Sequence, residues 1–357
     1  MLVSDALIVS SVLLRDFRSY ARLELALEPG LVLAVGPNGA GKTNLLESLH
    51  VGTQGFSPRT RVDAQLIRFG AAAARVSLNG SRAHAPLQIS VSLSTGAAKR
   101  ATVNGARLPT AEQLRREVET LVFTPDRLAI VKGGPAARRA YFDRVLARLQ
   151  PARAALPTDY AAVIAQRNAA LRRVAAGFSS RDAVAPWTEQ TAALGAQLVS
   201  ARVETLLALE PGFRELAGQL GLADAALAYE GDAISVVDLE ARLDRDLERA
   251  TTGIGPHLHD IRLLAGGRDL RSFGSQGEQR LTVLALLLAE AKLLASRREA
   301  APLLLLDDVL SELDTSRRLV LAGLVSGMGQ TVVTATQRSA LPVEPAQVVE
   351  VELGSAG

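Results

Sequence analysis

The sequence predicts an α/β lobe built on a mixed sheet around a phosphate-binding loop, with a mainly helical second lobe inserted into it. Three observations carry that prediction. Gly36-Pro37-Asn38-Gly39-Ala40-Gly41-Lys42-Thr43 fits the pattern G-x-x-x-x-G-K-[ST] and stands between an apolar run and a helical pattern. A second apolar run, Leu303-Leu304-Leu305-Leu306, ends in Asp307-Asp308. A buried strand that delivers carboxylates to the crevice of an open sheet reads this way. Between the two, from Pro135 to about Ala250, the chain turns rich in Ala, Leu and Arg at helical spacing.

The elements follow in order. Leu7 to Leu14 and Leu23 to Leu27 read as strands around Phe17-Arg18-Ser19-Tyr20. Leu31 to Val35 is continuously apolar, as a strand covered on both faces must be. Asn44 to Leu49 opens a helix, and residues 75–108 alternate as strands with a turn at Asn104-Gly105. Composition changes after Pro125. The helical stretch is expected to break near Pro151, Pro157, Gly177, Pro186 and Pro211-Gly212. Residues 254–271 return through a short β segment, an apolar helix begins after Gly274, and Thr331 to Ala335 supplies a last core strand. These boundaries give an ATP-binding lobe from 1–127 and 272–357, and a helical lobe from 128–271.

Composition narrows the classes. The chain has 357 residues and no cysteine, so disulfides and thiolate metal sites are excluded. Met1 to Asp5 carries no basic leader, and the most apolar segment, Leu281 to Ala295, is short for a bilayer and contains Glu290 and Lys292. A soluble, cytoplasmic protein without a membrane partner is expected. The net charge of +3 is unevenly placed. Residues 1–182 hold 25 Lys and Arg against 13 Asp and Glu, a balance of +12; residues 183–357 hold 15 against 24, a balance of −9. A basic half points to an anionic partner, with nucleic acid first.

The motifs carry the chemistry. Gly36, Gly39 and Gly41 let backbone N–H groups face phosphates, with Pro37, Asn38, Ala40 and Asn44 completing the cradle. The helix that follows adds a positive end. Lys42 would bridge the β- and γ-phosphates of ATP, and the Thr43 hydroxyl would bind Mg²⁺. Asp307 would hold the same Mg²⁺, and Asp308 would orient or deprotonate the attacking water. Arg138, Arg139, Arg144, Arg148, Arg172 and Arg173, with Arg153 and Arg167, crowd the helical lobe. Few aromatics interleave with them, so phosphate contact with duplex or junction DNA is expected rather than stacking on single-strand bases.

Gly274-Ser275-Gln276-Gly277-Glu278-Gln279-Arg280 resembles the signature motif of the ABC ATPase superfamily, and Ser311-Glu312-Leu313-Asp314 resembles its D-loop. The resemblance implies that Ser275 and Gly277 meet the γ-phosphate held by a second copy, with Ser311 and Asp314 across the same interface. Phe17-Arg18-Ser19-Tyr20, Gly36 to Glu47, Phe123-Thr124-Pro125-Asp126, Pro135 with Arg138-Arg139 and Asp143, Gly255-Pro256-His257, and Ser272 to Asp314 resemble the RecF family, end to end. That family implies an SMC-like ABC ATPase head without a long coiled coil. It implies an ATP-dependent homodimer acting in recombinational repair, replication-fork maintenance and the SOS response. Such a dimer binds gapped DNA or single-strand/duplex junctions and helps mediators of the RecR/RecO type. A slow, DNA-stimulated ATPase serves as its switch. It places Arg18 near the adenine and Arg59 on phosphate. Three departures stand out: Asp308 replaces the usual Glu, Thr124-Pro125-Asp126 fills the Q-loop slot, and Thr336-Gln337 replaces the switch histidine. An ABC transporter nucleotide-binding subunit is the alternative. It would need that histidine, a glutamine Q-loop and a membrane-coupling surface.

Overall fold

A computed structural model describes residues 8–83, 85–298 and 300–352. Leu7 and the segment before it lie outside these residues. β1 (Ile8–Phe17), β2 (Tyr20–Ala26) and β3 (Leu31–Val35) lead to α1 (Lys42–Gln54). β4 (Ala73–Arg82), β5 (Ala85–Ser94), β6 (Ala97–Val103) and β7 (Ala106–Arg107) follow, then α2 (Leu114–Glu117) and β8 (Thr120–Phe123). The helical stretch comprises α3 (Ala129–Lys132), α4 (Pro135–Leu149), α5 (Leu156–Ala175) and α6 (Ala185–Gln219). After it come β9 (Ala226–Glu230), α7 (Val236–Ala241), α8 (Leu243–Arg249), β10 (Asp260–Ala265), β11 (Arg268–Asp269) and α9 (Leu270–Phe273). α10 (Gln276–Arg298), β12 (Leu303–Leu306), α11 (Thr315–Ser326), β13 (Thr331–Ala335) and β14 (Gln347–Glu350) close the chain.

Two compact units result. The first runs up to Arg127 and from Val283 onward, with Gln219–Gly221; the second holds Leu128–Gly218 and Leu222–Thr282. The first boundary falls where composition shifts. The return falls at 283 rather than 272, because α10 is one unbroken helix that carries the chain across, leaving the signature segment with the helical unit.

In the first unit the parallel and antiparallel parts of the expected mixed arrangement form separate sheets. The parallel sheet has the order β14-β3-β13-β12-β8, and the antiparallel sheet the order β2-β1-β4-β5-β6-β7. Every residue of β3, β12 and β13 is buried. β4 and β5 alternate between buried and outward residues, so one face of their sheet meets the core. α1 packs on strands of both sheets, with Leu45, Leu46 and Leu49 in the shared core. Gly52 permits that approach: a Cβ there would stand 2.5 Å from Leu78 Cδ1. The pairing of β1 with β4 slips between Val9 and Ser11. The buried amide of Gln330 fills the slip, accepting from Val9 N at 2.7 Å and donating to Val9 O at 2.8 Å.

The second unit is held by buried ion pairs. Arg202 grips Asp143 through two bonds of 2.8 and 2.9 Å and donates to Pro256 O. Arg167, fully buried, bonds Asp246 at 2.7 Å and Thr252 at 2.8 Å. His257 bonds the Tyr160 hydroxyl and Thr252 O, so Gly255-Pro256-His257 fastens the helices to the chain returning toward β10. Pro157 and Pro186 sit in first turns, where proline is tolerated, and Gly177 follows the end of α5. No break occurs at Pro211: α6 runs through it. The carbonyl that proline leaves without a donor belongs to Leu207, which is 64% exposed, so water can satisfy it. Residues 181–219 have the length and hydropathy of a bilayer span. Arg202 and its buried ion pair on that helix mark it as the unit's own core.

Candidate nucleotide site

The phosphate loop joins β3 to α1, so its amides and the helix N-terminus point the same way. Two glycines are demanded locally. Gly41 sits at φ 111°, and a Cβ there would come within 2.9 Å of the Tyr20 hydroxyl. A Cβ on Gly36 would strike Val351 O at 2.2 Å. The Tyr20 hydroxyl donates to Gly41 O at 3.1 Å, and burial pushes its pKa up to about 12. Lys42 folds over its own loop, donating to Gly36 O at 2.7 Å and Pro37 O at 2.9 Å. Phosphate oxygens would replace these neutral acceptors with charged ones.

The acidic side arrives on β12. The Asp307 carboxylate accepts from the Thr43 hydroxyl at 3.1 Å and from the Thr334 hydroxyl at 2.9 Å. Thr334 in turn accepts from Asp308 N at 2.8 Å. Asp308 is held at φ 49°, a left-handed conformation that non-glycine residues rarely adopt and that clusters at functional sites. Burial raises the Asp307 carboxyl pKa above its ordinary value, opposed by the bonds from Thr334 and Thr43. Hard oxygen donors from Thr43 and Asp307 suit Mg²⁺, which takes its other ligands from phosphate and water. The phosphate loop, Arg59, both aspartates, Thr334 and Thr336 line one cleft of about 290 Å³.

Sequence reasoning passed over Glu47, which organises the flank of this cleft. Its side chain is wholly buried. It accepts from Arg18 at 2.8 and 2.7 Å, from Ser57 at 2.6 Å and from Arg59 at 3.2 Å. Arg18 therefore secures α1 through Glu47 and also donates to Gln65 O at 2.7 Å. Arg59 additionally reaches Asn44 Oδ1 at 3.3 Å and faces the cleft. Asn44 donates to the Ser19 hydroxyl at 2.9 Å, tying the loop to the β1–β2 turn. Thr334, another omission, looks in sequence like one more β-branched strand residue.

The signature segment starts α10. Ser275 N donates to the Glu278 carboxylate at 2.8 Å and Glu278 N donates to the Ser275 hydroxyl at 3.2 Å, a closed capping box. Gly274 is required within the chain, since a Cβ would meet Leu270 O at 2.5 Å. Gly277 is different: the nearest atom to a Cβ there is Ser275 Oγ at 4.0 Å. In the other stretch, Ser311 Oγ donates to Asp308 O at 3.1 Å, and Asp314 caps α11 by accepting from Arg317 N at 2.9 Å.

The arginines of the helical unit need a correction. Arg138, only 3% exposed, makes two bonds to Asp260 at 2.7 and 2.6 Å and a third to Gly133 O, so it cannot meet an outside phosphate. Arg139 is half-buried and donates to His259 O at 2.6 Å. Arg144 and Arg148 are engaged within the protein. Arg172 and Arg173 are exposed in the last turn of α5. A surface phosphate contact and a core ion pair both select arginine, so residue type alone could not separate them.

A parallel sheet that brings a phosphate loop and a strand-end aspartate pair into one cleft, with an antiparallel sheet beside α1 and a helical insertion ending in a capped glycine-containing helix, defines an ABC-type ATPase head. The profile of the RecF/RecN/SMC N terminal domain matches residues 8–353. The chain belongs to that family, in its RecF branch. It is 34% identical over 363 residues to the DNA replication and repair protein RecF of Heliobacterium modesticaldum, covering 98% of this chain and 96% of that one. It is 36% identical to RecF of Renibacterium salmoninarum, covering 93% and 94%. Among solved structures, the recombination mediator protein RecF with ATP in the RecFOR pathway aligns with TM-score 0.85 at 26% identity, over 99% of this chain and 97% of that one. An Smc head domain from Pyrococcus furiosus shares the fold alone, with TM-score 0.60 at 17% identity over 97% and 94%.

Proposed function

We propose that this chain is an ATP-gated DNA-binding clamp of recombinational repair, in which two copies close around two nucleotides. The observation that carries the reading is the meeting of Thr43 and Asp307, 264 residues apart in sequence, at 3.1 Å beside the phosphate loop. Lys42 and the loop amides would hold the β- and γ-phosphates, and Arg59 would shift from Glu47 toward phosphate. Thr43 and Asp307 would hold Mg²⁺, which neutralises phosphate charge when bound. Asp308 would position the attacking water. Its shorter side chain, in place of Glu, suits slow hydrolysis used as a switch. Gly277 supports the cross-chain role of the signature segment. Gly277 stands in the first turn of α10, and nothing among the described residues requires a glycine there. Close approach of a second copy's nucleotide supplies the reason, with Ser311 and Asp314 at the same interface. The relatives' role in DNA replication and repair and the RecFOR-pathway neighbour support work beside recombination mediators, taken here to be of the RecR/RecO type; action at gapped or junction DNA is part of the same proposal. Arg172 and Arg173 remain candidates for phosphate contact in the helical unit.

Sedimentation with and without Mg-ATP tests the closure. Wild type should shift from monomer to dimer on adding Mg-ATP. Lys42→Ala should lose ATP binding and the shift together. Ser275→Arg should bind ATP and stay monomeric. A Ser275→Arg protein that dimerises with ATP would rule out the cross-chain role.

A further inference from the structure

We infer that the outward face of the antiparallel sheet is a docking surface for duplex DNA that is complete in one chain and works without nucleotide. The inference rests on the reading of this chain as a DNA-binding protein and assigns the contact to residues outside the helical unit. Strand register places Arg22 opposite Arg15, Arg15 opposite Arg75, Arg75 opposite Ser92 and Ser92 opposite Arg100. Arg107 stands opposite Thr102 on the same face, one row along. All five arginines are exposed.

Three features single out this row. First, like charges directly opposite each other across strands destabilise a sheet, yet three arginines stand in consecutive register. Second, the row is not neutralised. Arg15, Arg100 and Arg107 make no ion pair among the described residues, Arg75 donates only to the Ser92 hydroxyl at 3.3 Å, and Asp16 is engaged by Arg68 at 2.8 Å. Only Arg22 has a carboxylate near, Glu24 at 3.7 Å, and both are well exposed. Third, troughs of about 440 and 260 Å³ flank the Arg15–Arg75 pair, and both residues line each of them. In the helical unit, by contrast, Arg138, Arg167 and Arg202 each have a carboxylate.

The occupant that fits is a phosphate backbone. Adjacent strands lie about 4.8 Å apart, so the row from Arg22 to Arg100 crosses four spacings, about 19 Å. At about 3.4 Å per base pair this matches five to six base pairs of duplex. Around the row stand Ser77, Ser90 and Thr102, short hydroxyl donors suited to phosphate oxygens. The nearest aromatics in this register, Phe17 and Tyr20, are buried, so they offer no platform for base stacking with single strands. Every element of the surface lies on one sheet and none touches the nucleotide cleft. Closure of two copies would then multiply a pre-existing weak affinity by presenting two rows.

The test is fluorescence anisotropy of a labelled duplex across a NaCl series, with nucleotide-free wild type and with the variant Arg15→Gln, Arg75→Gln, Arg100→Gln. Wild type should bind without nucleotide with a Kd of about 10⁻⁴–10⁻⁶ M. Each phosphate contact contributes about 0.9 to the slope of log K against log salt, so the variant's slope should be shallower by about 2–3. The variant should also melt no lower than wild type, because relieved repulsion does not weaken the fold. Equal slopes for both proteins would overturn the inference and leave the clamp reading intact. So would wild type that binds duplex only with ATP, or a variant that loses binding to anionic phospholipid vesicles while keeping duplex. Wild type that binds duplex in no nucleotide state would overturn both.

Discussion

The two ends of the nucleotide machinery are finished to different degrees. At the phosphate end, Thr43, Asp307, Thr334 and Asp308 form one bonded chain, and Glu47 gathers Arg18, Arg59 and Ser57 behind it. That end can receive a nucleotide within one copy. At the signature end, Ser275 and Glu278 cap the start of α10 reciprocally, and Gly277 leaves space that nothing among the described residues fills. In the clamp proposed above, the difference has a direct meaning: binding is prepared inside a single chain, whereas recognition of the bound state would wait for a second one.

The comparison can be broken most heavily at Glu47. Hydrogen bonds to a charged group contribute about 1.5–3 kcal/mol, and Arg18 and Arg59 are 20% and 36% exposed and can turn to water, so Glu47→Ala should lower unfolding free energy by about 3 kcal/mol in denaturant titration. Ser275→Ala, which removes a helix N-cap, should cost only about 1 kcal/mol. Next is Asp307. Its raised pKa means the nucleotide-free fold binds the proton more tightly than the unfolded chain does. Its stabilisation is therefore complete below the ordinary value of 3.8 and is lost as pH rises through the raised value. Asp307→Asn should remove that loss, raising the nucleotide-free melting temperature at neutral pH. Loss of an outer partner of a metal ligand costs 10–100-fold in metal affinity, so loss of the ligand itself should weaken Mg-ATP binding by at least about 100-fold, read by titration calorimetry. The smallest effect is the sharpest. Gly277→Ala, in the first turn of α10 where a Cβ meets no described atom closer than 4.0 Å, should leave monomer stability unchanged while weakening ATP-driven dimerisation in sedimentation.

Much of this was legible in the sequence for local reasons. The phosphate loop announces itself because phosphate demands glycines, a lysine and a hydroxyl at fixed spacing. β3 and β12 announce themselves because a strand covered on both faces must be apolar throughout. What stayed hidden depends on pairing at long range. Glu47 reads as an ordinary helix residue until Arg18 and Arg59 are brought to it. Arg138 reads as a DNA contact until Asp260, 122 residues on, closes over it. The arginine row escaped for the opposite reason: Arg15, Arg22, Arg75 and Arg100 are scattered in sequence and become neighbours only through strand register. Pro211 misled because the cost of an interior proline depends on whether water reaches the freed carbonyl.

The central claim is that each nucleotide is held by the phosphate loop of one copy and the signature segment of another. Mixing Lys42→Ala with Ser275→Arg tests it directly, with Mg-ATP present and sedimentation as the readout. Neither variant should dimerise alone. A shared site predicts that the mixture forms a heterodimer, because the intact loop of the Ser275→Arg copy meets the intact signature of the Lys42→Ala copy. A mixture that stays monomeric, while wild type dimerises under the same conditions, would contradict the account.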